Sequence, residues 1–325
     1  MKRRDFLAVA GTTAAWRLVA HAQGTDPTTV GFLGASTAEA WAEYTAIFSK
    51  RLSEAGYDDG RNVRVEYRWA NGDYDRLPAL AADLLRRHAR VIVFATTPAA
   101  VAAKAATVSV PVVFVTIGDP VRLGLVTSLS RPGGNVTGIT QLNVEMGPKL
   151  LEMLYKAIPT ATAIALLLNP AGPNANTLSN EFRGAADTLG VQLHVLNVST
   201  PDGIEKAFSS LAQLRAGGLV IGGDPFLNSH RDQIASLALR YRMPSIYQAR
   251  LYPEAGGLMS YGGDGREAYS QAGAYAARIL NGERPADLPV QQVTRIALVI
   301  NLRTARALGL NLPQSLLAGA DEVIE

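Results

Sequence analysis

The chain contains no cysteine among its 325 residues. Disulfide bonds, thiolate nucleophiles and cysteine-ligated metal sites are therefore excluded. Histidine is nearly as scarce, and no two copies have the spacing of a metal-ligand pair; the four are His21, His88, His194 and His230. We interpret the last three as surface or packing residues. The sequence thus predicts no metal site and a core without covalent cross-links.

Recognised cofactor and catalytic motifs are missing as well. The segment GFLGAS (31–36) lacks the last spacing of the dinucleotide-binding motif G-x-G-x-x-G, and no phosphate-binding G-x-x-x-x-G-K-[ST] loop occurs. No G-x-S-x-G nucleophile elbow occurs either. The adjacent carboxylates of Asp58 and Asp59 lie in a glycine-rich stretch, which is typical of a solvated turn. We therefore expect no cofactor.

Long apolar runs are absent, since no segment reaches the roughly 20 residues that span a bilayer. The N-terminus, MKRRDFLAVAGTTAAWRLVAHAQ, has instead a basic start, a short apolar middle and a small-x-small ending. This pattern predicts an export signal over residues 1–22, cleaved near Ala22, and a periplasmic mature protein. The stretch Arg3-Arg4-Asp5-Phe6-Leu7 resembles the twin-arginine consensus, which favours that route over the general one. The alternative is an amphipathic first helix of the fold.

An excess of charge of one sign is also lacking once residues 1–22 are set aside. The whole chain carries a net charge of +3. Without residues 1–22 it loses four of its 31 basic and one of its 28 acidic side chains, which leaves 27 of each. A formally neutral protein is unsuited to binding nucleic acid or a membrane surface. It also gives no reason to expect more than a monomer.

What the chain does have is a regular alternation of apolar strand patterns and longer amphipathic helix patterns. This alternation predicts parallel sheets with helices on both faces. About ten strands are many for one sheet in a chain of this size. We therefore predict an α/β fold of two doubly wound parallel-sheet lobes. The strand patterns fall at 29–35, 62–70, 91–95, 110–116, 163–168, 191–197, 218–223, 243–248, 256–262 and 291–301.

Two of these strands run into the same Gly-Asp-Pro sequence, at 118–120 and at 223–225. An Asp followed by Pro is typical of a helix start, because the carboxylate accepts from first-turn amides and Pro suits the first helical position. The carboxyl ends of parallel strands are also where ligands bind. Each such residue could therefore cap a helix, contact a ligand or do both.

Polar and aromatic residues collect at the predicted strand ends of both halves. Singly, each is better explained by capping or packing. Together they would line a cleft suited to a small zwitterionic ligand, with helix N-termini and hydroxyls for a carboxylate, Asp for an ammonium and tyrosine rings for apolar parts. The candidate ligand-binding residues are Ser36, Thr37, Thr96, Thr97, Asp119, Asn169, Asp224, Tyr247 and Tyr261.

One continuous stretch carries a family resemblance. The sequence VIVFATTPAAVAAKAATVSVPVVFVTIGDPVRLGLVTSLSRPGGNVTGIT (91–140) closely resembles extracytoplasmic substrate-binding proteins of ABC transporters, in the group related to tryptophan- and tyrosine-type binding proteins. The similarity continues over nearly the whole mature chain. It includes LLNP (167–170), GDPFLNSHRDQIASLALRYRMPSIY (223–247), GGLMSYGGD (256–264) and LVINLRTARALGL (298–310).

The resemblance implies a type I periplasmic binding protein fold, whose two lobes are joined by three crossovers and close on a ligand by a hinge. It places the crossovers near 138–142, 259–263 and 285–290. The expected first lobe then comprises residues 23–140 and 262–286, and the second lobe residues 141–261 and 287–325. Many members of the tryptophan-type group bind aromatic amino acids, and a membrane ABC permease is the implied partner.

The favoured hypothesis is a solute-binding protein without a catalytic role. It would capture a small amino-acid-like molecule in the interlobe cleft and deliver it to the permease. An aromatic amino acid or aromatic acid is one such molecule. Two alternatives stay open. One is a sensory ligand-binding subunit, and the other is a periplasmic enzyme that uses Asp119 or Asp224 as general acid or base.

Overall fold

The computed structural model of the protein describes residues 27–325, so the expected export signal lies outside the described residues. The chain begins with a strand and helix alternation that builds one parallel sheet. Its elements are β1 (Thr28–Gly34), α1 (Ala42–Glu54), β2 (Val63–Trp69), α2 (Leu77–Arg86), β3 (Val91–Phe94), α3 (Thr97–Ala106), β4 (Val112–Thr116) and β5 (Val136–Thr140).

The middle of the chain builds a second sheet in the same manner. Its elements are α4 (Gly147–Ala157), β6 (Ala163–Leu168), α5 (Ala175–Leu189), β7 (Gln192–Asn197), α6 (Pro201–Ser210), β8 (Gly218–Ile221), α7 (Pro225–Ser229), α8 (Arg231–Arg240), β9 (Ser245–Tyr247), α9 (Leu251–Glu254) and β10 (Met259–Gly263). The chain ends with α10 (Gly265–Leu280), β11 (Gln291–Gln292), β12 (Ile296–Asn301), α11 (Leu302–Ala307), α12 (Gln314–Ala318) and β13 (Glu322–Ile324).

The strands form two separate sheets. The first has the order β11-β5-β4-β3-β1-β2, and the second has the order β13-β12-β10-β9-β8-β6-β7. All pairings are parallel except that of β10 with β12. The predicted fold of two parallel-sheet α/β lobes is therefore confirmed.

The chain passes between the lobes three times. The first passage follows β5 and contains Leu142, whose backbone is left-handed with φ of 51°. The second lies between β10 and α10, so residues 262 and 263 belong to the second sheet. The third lies between β11 and β12. Gln291 and Gln292 pair with β5 of the first sheet. The boundary between the first and second lobes, expected at 286/287, therefore lies beyond residue 292.

This shift has a simple physical cause. The stretch 291–301 has the composition of a single closing strand, but its two ends pair with different sheets. Further contacts hold the segment before β11 on the first lobe, where the Thr137 hydroxyl donates to the Leu288 carbonyl at 2.6 Å. A two-residue strand carries too little pattern to be separated from its neighbour in sequence.

Each lobe buries apolar side chains on both faces of its sheet. In the first lobe, Phe32 and Phe48 are fully buried between the sheet and the helices α1 and α10, with ring centroids 5.2 Å apart. Leu33 points to the opposite face, toward α2 and α3, because successive strand residues alternate in direction. The second lobe is arranged likewise between α4 and α5 on one face and α6 and α8 on the other. Within residues 27–325, no helix is long and apolar enough to cross a membrane.

Candidate functional site

A concavity at the lobe interface lies where the carboxyl ends of both sheets meet. It is lined from the first lobe by residues after β3 and β4, and from the second lobe by residues after β6, β8 and β9. The empty space in it, together with the open solvent at its mouth, amounts to about 850 Å³. Parallel strands direct their carboxyl ends to one edge of a sheet, so two such lobes facing each other create this cavity.

Four of the sequence-predicted site residues line the cavity: Thr96, Thr97, Asn169 and Asp224. The two threonine hydroxyls also hold the loops around them. Thr96 Oγ1 accepts a hydrogen bond from the Ala35 amide, and Thr97 Oγ1 accepts one from the Ile117 amide, each at 3.2 Å. The threonines therefore shape the first-lobe wall as well as presenting polar atoms to it.

Asp224 is the one charged side chain among the described residues that line the cavity. Its Oδ1 accepts three hydrogen bonds, from the Tyr74 hydroxyl at 2.8 Å, the Asn169 amide at 3.0 Å and the Phe226 backbone at 2.9 Å. Its Oδ2 lies beside Gly172, where a Cβ atom would come within 2.7 Å of it. Burial raises the pKa of Asp224 above its ordinary value, while the bonds from Asn169 and Tyr74 oppose that rise.

The five other predicted residues do not line the cavity. Asp119 accepts from the Val121 amide at 2.8 Å and caps a turn, and it is not among the described residues that line the cavity with Asp224. Gly118 is the member of this Gly-Asp-Pro copy that meets the second lobe, where a Cβ atom would lie 2.7 Å from Asn174 Oδ1. The turn after β4 thus directs its glycine to the interface and its aspartate to its own backbone.

The remaining four have other roles, of which one is a contact between the lobes and three are within a lobe. Ser36 bonds Ser229 across the lobe interface with 2.5 Å between their hydroxyl oxygens, and Thr37 accepts from the Ala40 amide at 3.2 Å. Tyr247 is fully buried in the second lobe, where its ring stacks on another aromatic ring and its hydroxyl bonds Ser245 at 2.6 Å. Tyr261 lies in β10 and packs against the second-lobe core.

An aromatic wall, made of Trp41, Tyr44 and Tyr269, lines the cavity on the first-lobe side and was missed by sequence reasoning. The indole N–H of Trp41 donates to the Tyr269 hydroxyl at 2.6 Å, and that hydroxyl donates to the Ala95 carbonyl. The Tyr44 and Tyr269 rings stack with centroids 4.6 Å apart and 15° between planes. In the sequence, Trp41 and Tyr44 share the helical spacing of core residues, and no pattern marks their exposure to a cavity.

Amide side chains near the interlobe passages form another part of the lining that was missed. Asn143 Oδ1 accepts from the Gly263 amide at 2.8 Å, and the Asn143 carbonyl accepts from Gln248 Nε2 at 3.1 Å. Two buried atoms of lining residues have no hydrogen-bond partner among residues 27–325, namely Gln248 Oε1 and the Tyr252 hydroxyl. Buried polar atoms are nearly always paired, so both are suited to bonding a ligand.

Metal-ligating side chains do not cluster in the part of the chain that the structure describes, where no three His, Asp or Glu residues come together. The cavity chemistry is that of one carboxylate, several amides and hydroxyls, and aromatic rings.

Comparison with known proteins agrees with this geometry. A family described as ABC transporter substrate binding protein matches residues 38–324. A curated protein named tyrosine-binding protein, from Clostridioides difficile (strain R20291), is 28% identical over 262 residues, which cover 80% of this chain and 75% of that protein.

Two solved structures superpose on this chain to different extents. An ABC domain in complex with L-Trp, from Streptococcus pneumonia, is 26% identical, covers 92% of this chain and 100% of its own, and gives a TM-score of 0.83. A ligand-free, open substrate-binding protein with adhesive properties, from Clostridium difficile, is 25% identical, covers 91% and 99%, and gives 0.63. This chain therefore superposes better on the L-Trp complex than on the ligand-free, open structure.

Proposed function

We propose a solute-capture role for this chain, which belongs to the ABC transporter substrate-binding protein family. The protein binds one small molecule in the cavity between its lobes and delivers it to a membrane ABC permease. It works in the periplasm after removal of its export signal. The cavity supports this role because it lies between two lobes that are joined by three passages of the chain. A bound molecule is enclosed when the lobes close about these passages.

The proposed ligand is an amino acid with an aromatic side chain. The observation that carries this assignment is Asp224, the one charged side chain among the described lining residues, which receives the hydrogen bonds from Tyr74, Asn169 and Phe226 on Oδ1. A buried carboxylate without a basic neighbour in the lining favours a cationic group such as an ammonium. The aromatic wall supplies ring faces for the side chain. The relatives named for tyrosine and crystallised with L-Trp support the same class.

The carboxylate of such a ligand would be bound without a basic side chain. Helix α3 begins at Thr97 on the cavity wall, and the amino end of a helix favours a negative group. The unpaired Tyr252 hydroxyl is a further donor on the opposite lobe. The ammonium of the ligand would therefore be bound by a carboxylate, and the ligand carboxylate by the amino end of a helix and a hydroxyl.

An enzymatic role receives no comparable support. A paired-carboxylate mechanism would require Asp119 and Asp224 to flank the same cavity, and only Asp224 lines it. The carboxylate of Asp119 is engaged in its own turn.

Native mass spectrometry of protein purified without ligand stripping tests the proposal. We expect a bound mass equal to that of an aromatic amino acid, and calorimetric binding of L-tyrosine or L-tryptophan to protein stripped of that ligand. Sugars such as D-arabinose should give no heat. A bound sugar, or no heat with any amino acid, would overturn the proposed ligand class.

A further inference from the structure

We infer that Tyr74 is a closure latch: a positioning residue that belongs to the first lobe, contacts no ligand, and holds the closed state by bonding Asp224 of the second lobe. Its hydroxyl donates to Asp224 Oδ1 at 2.8 Å and accepts from the Phe226 amide at 3.3 Å. Tyr74 is not among the described residues that line the cavity. The inference rests on the proposed function, because a latch has meaning only for a protein that closes on a ligand.

Tyr74 is held firmly on the first lobe. The turn before it, residues 70–72, is bonded to the end of β1 through three backbone hydrogen bonds of 2.8–3.0 Å. This turn includes Asn71 and Gly72, both with left-handed backbones at φ of 56° and 84°. A short 3-10 turn (Tyr74–Arg76) follows and is capped by the Asp73 side chain. The hydroxyl therefore moves with the first lobe and cannot follow Asp224 when the lobes separate.

The second lobe offers the Tyr74 hydroxyl both a hydrogen-bond acceptor and a donor at the start of α7. Asp224 caps α7, so its Oδ1 and the Phe226 amide point to the same spot, and the Tyr74 hydroxyl uses one as acceptor and the other as donor. The Tyr74 ring packs against apolar cores of both lobes. Ser36 and Ser229 add a parallel interlobe bond. These contacts form one strip that exists only while the lobes are together.

The latch and the ligand share one carboxylate. Tyr74 bonds Oδ1, which leaves Oδ2 as the oxygen available to an ammonium. An ammonium at Oδ2 keeps Asp224 ionised, and an ionised acceptor forms a stronger hydrogen bond with the Tyr74 hydroxyl than a protonated one. Ligand binding therefore strengthens the latch, and by linkage the latch strengthens ligand binding to the same extent.

The test compares Tyr74→Phe with a matched control, Tyr67→Phe. Both keep the aromatic ring, but the Tyr67 hydroxyl bonds Ser49 within the first lobe, at 2.9 Å. With L-tyrosine and L-tryptophan as probes, Tyr74→Phe should weaken binding by about tenfold to a hundredfold, the value of one hydrogen bond to a charged group. The loss should lie mainly in a faster dissociation rate. Tyr67→Phe should change neither affinity nor rate.

Closure is measured separately, by the distance between spin labels on the two lobes. The chain has no native cysteine, so Val108→Cys and Gln213→Cys place one label on each lobe. We expect Tyr74→Phe to lower the closed fraction with and without probe, and Tyr67→Phe to leave it unchanged. If wild-type protein binds neither probe, the proposed ligand class fails, and the latch is judged on the ligand-free closed fraction alone. An unchanged closed fraction in Tyr74→Phe, or probe affinity and dissociation rate equal to wild type where the probes bind, would overturn the latch.

Discussion

The indole N–H of Trp41 donates a 2.6 Å hydrogen bond to the hydroxyl of Tyr269, and that hydroxyl donates in turn to the carbonyl of Ala95. The chain of bonds joins the start of α1, the helix α10 and the end of β3. Although α10 follows strands β6 to β10 of the second lobe in sequence, it packs here against the first lobe. The aromatic wall is therefore held in one orientation before any ligand arrives, which lowers the entropy cost of binding.

Replacement of Tyr269 by Phe should lower the free energy of unfolding. The change leaves the Trp41 N–H and the Ala95 carbonyl without their partner in a buried environment, at a cost of about 1–3 kcal/mol for each unsatisfied group. Urea unfolding followed by circular dichroism measures it. Tyr241→Phe is the control, since it removes an exposed hydroxyl bond to Ser209 and should change stability by less than about 0.5 kcal/mol. Equal stabilities for the two variants would contradict the structural role of this bond.

A second prediction concerns Gly262 in β10. A Cβ atom there would lie 2.2 Å from the backbone oxygen of Gln248, a cavity residue. Gly262→Ala must therefore displace this loop, and we expect a loss of about 1–3 kcal/mol in stability, the range for overpacking, together with weaker ligand binding.

Gly184→Ala is the matched control for Gly262→Ala. Gly184 lies in α5, where no described atom outside the backbone of its own helix is within 4 Å of an added Cβ, so alanine should stabilise the protein by about 0.5–1 kcal/mol through the lower entropy of the unfolded chain. Thermal unfolding with and without ligand distinguishes the two effects. A neutral Gly262→Ala would show that the β10 backbone adapts more easily than this packing implies.

The ligand affinity should depend on pH through Asp224. Burial raises the pKa of this carboxyl in the ligand-free protein, and a bound ammonium would lower it again. Binding then releases a proton, so affinity falls as the pH is lowered, starting above the range in which an ordinary aspartate titrates. Calorimetry in two buffers of different ionisation enthalpy detects the released proton. Binding that is independent of both pH and buffer would contradict an ammonium at Asp224.

The same raised pKa has the opposite effect on the ligand-free fold. A carboxyl whose pKa is higher in the folded than in the unfolded state binds more protons when folded, so its contribution to stability falls as the pH rises through the interval between the two values. Asp224→Asn should remove this part of the pH dependence. Urea unfolding of the wild-type and variant proteins over that interval provides the comparison.

Strand and helix alternation was enough to predict the two lobes, because parallel strands buried on both faces have continuous apolar sequences such as AIALLL in β6. The repeated Gly-Asp-Pro was partly informative. Asp224 caps α7 as its sequence indicates, whereas Asp119 with the same neighbours caps only a turn. Local sequence specifies the cap, but the following residues decide whether a helix continues.

The parts of the site that were missed depend on distant contacts. Tyr74 and Asp224 are 150 residues apart, and nothing near Tyr74 indicates its partner. Trp41 and Tyr44 have the spacing of core residues, and they do pack in the first-lobe core while also lining the cavity. A residue with two roles gives a sequence signal for only one of them.

The most direct test of the central claim is calorimetric titration of Asp224→Asn and Asp119→Asn with L-tyrosine and L-tryptophan. Both variants replace the aspartate of a Gly-Asp-Pro copy, and each keeps an oxygen that can accept from its helix or turn. If Asp224 binds the ammonium of an enclosed aromatic amino acid, Asp224→Asn should weaken binding by at least about tenfold, the value of a charge-assisted bond, while Asp119→Asn binds like the wild type. Equal affinities for the two variants, or a loss confined to Asp119→Asn, would contradict the account.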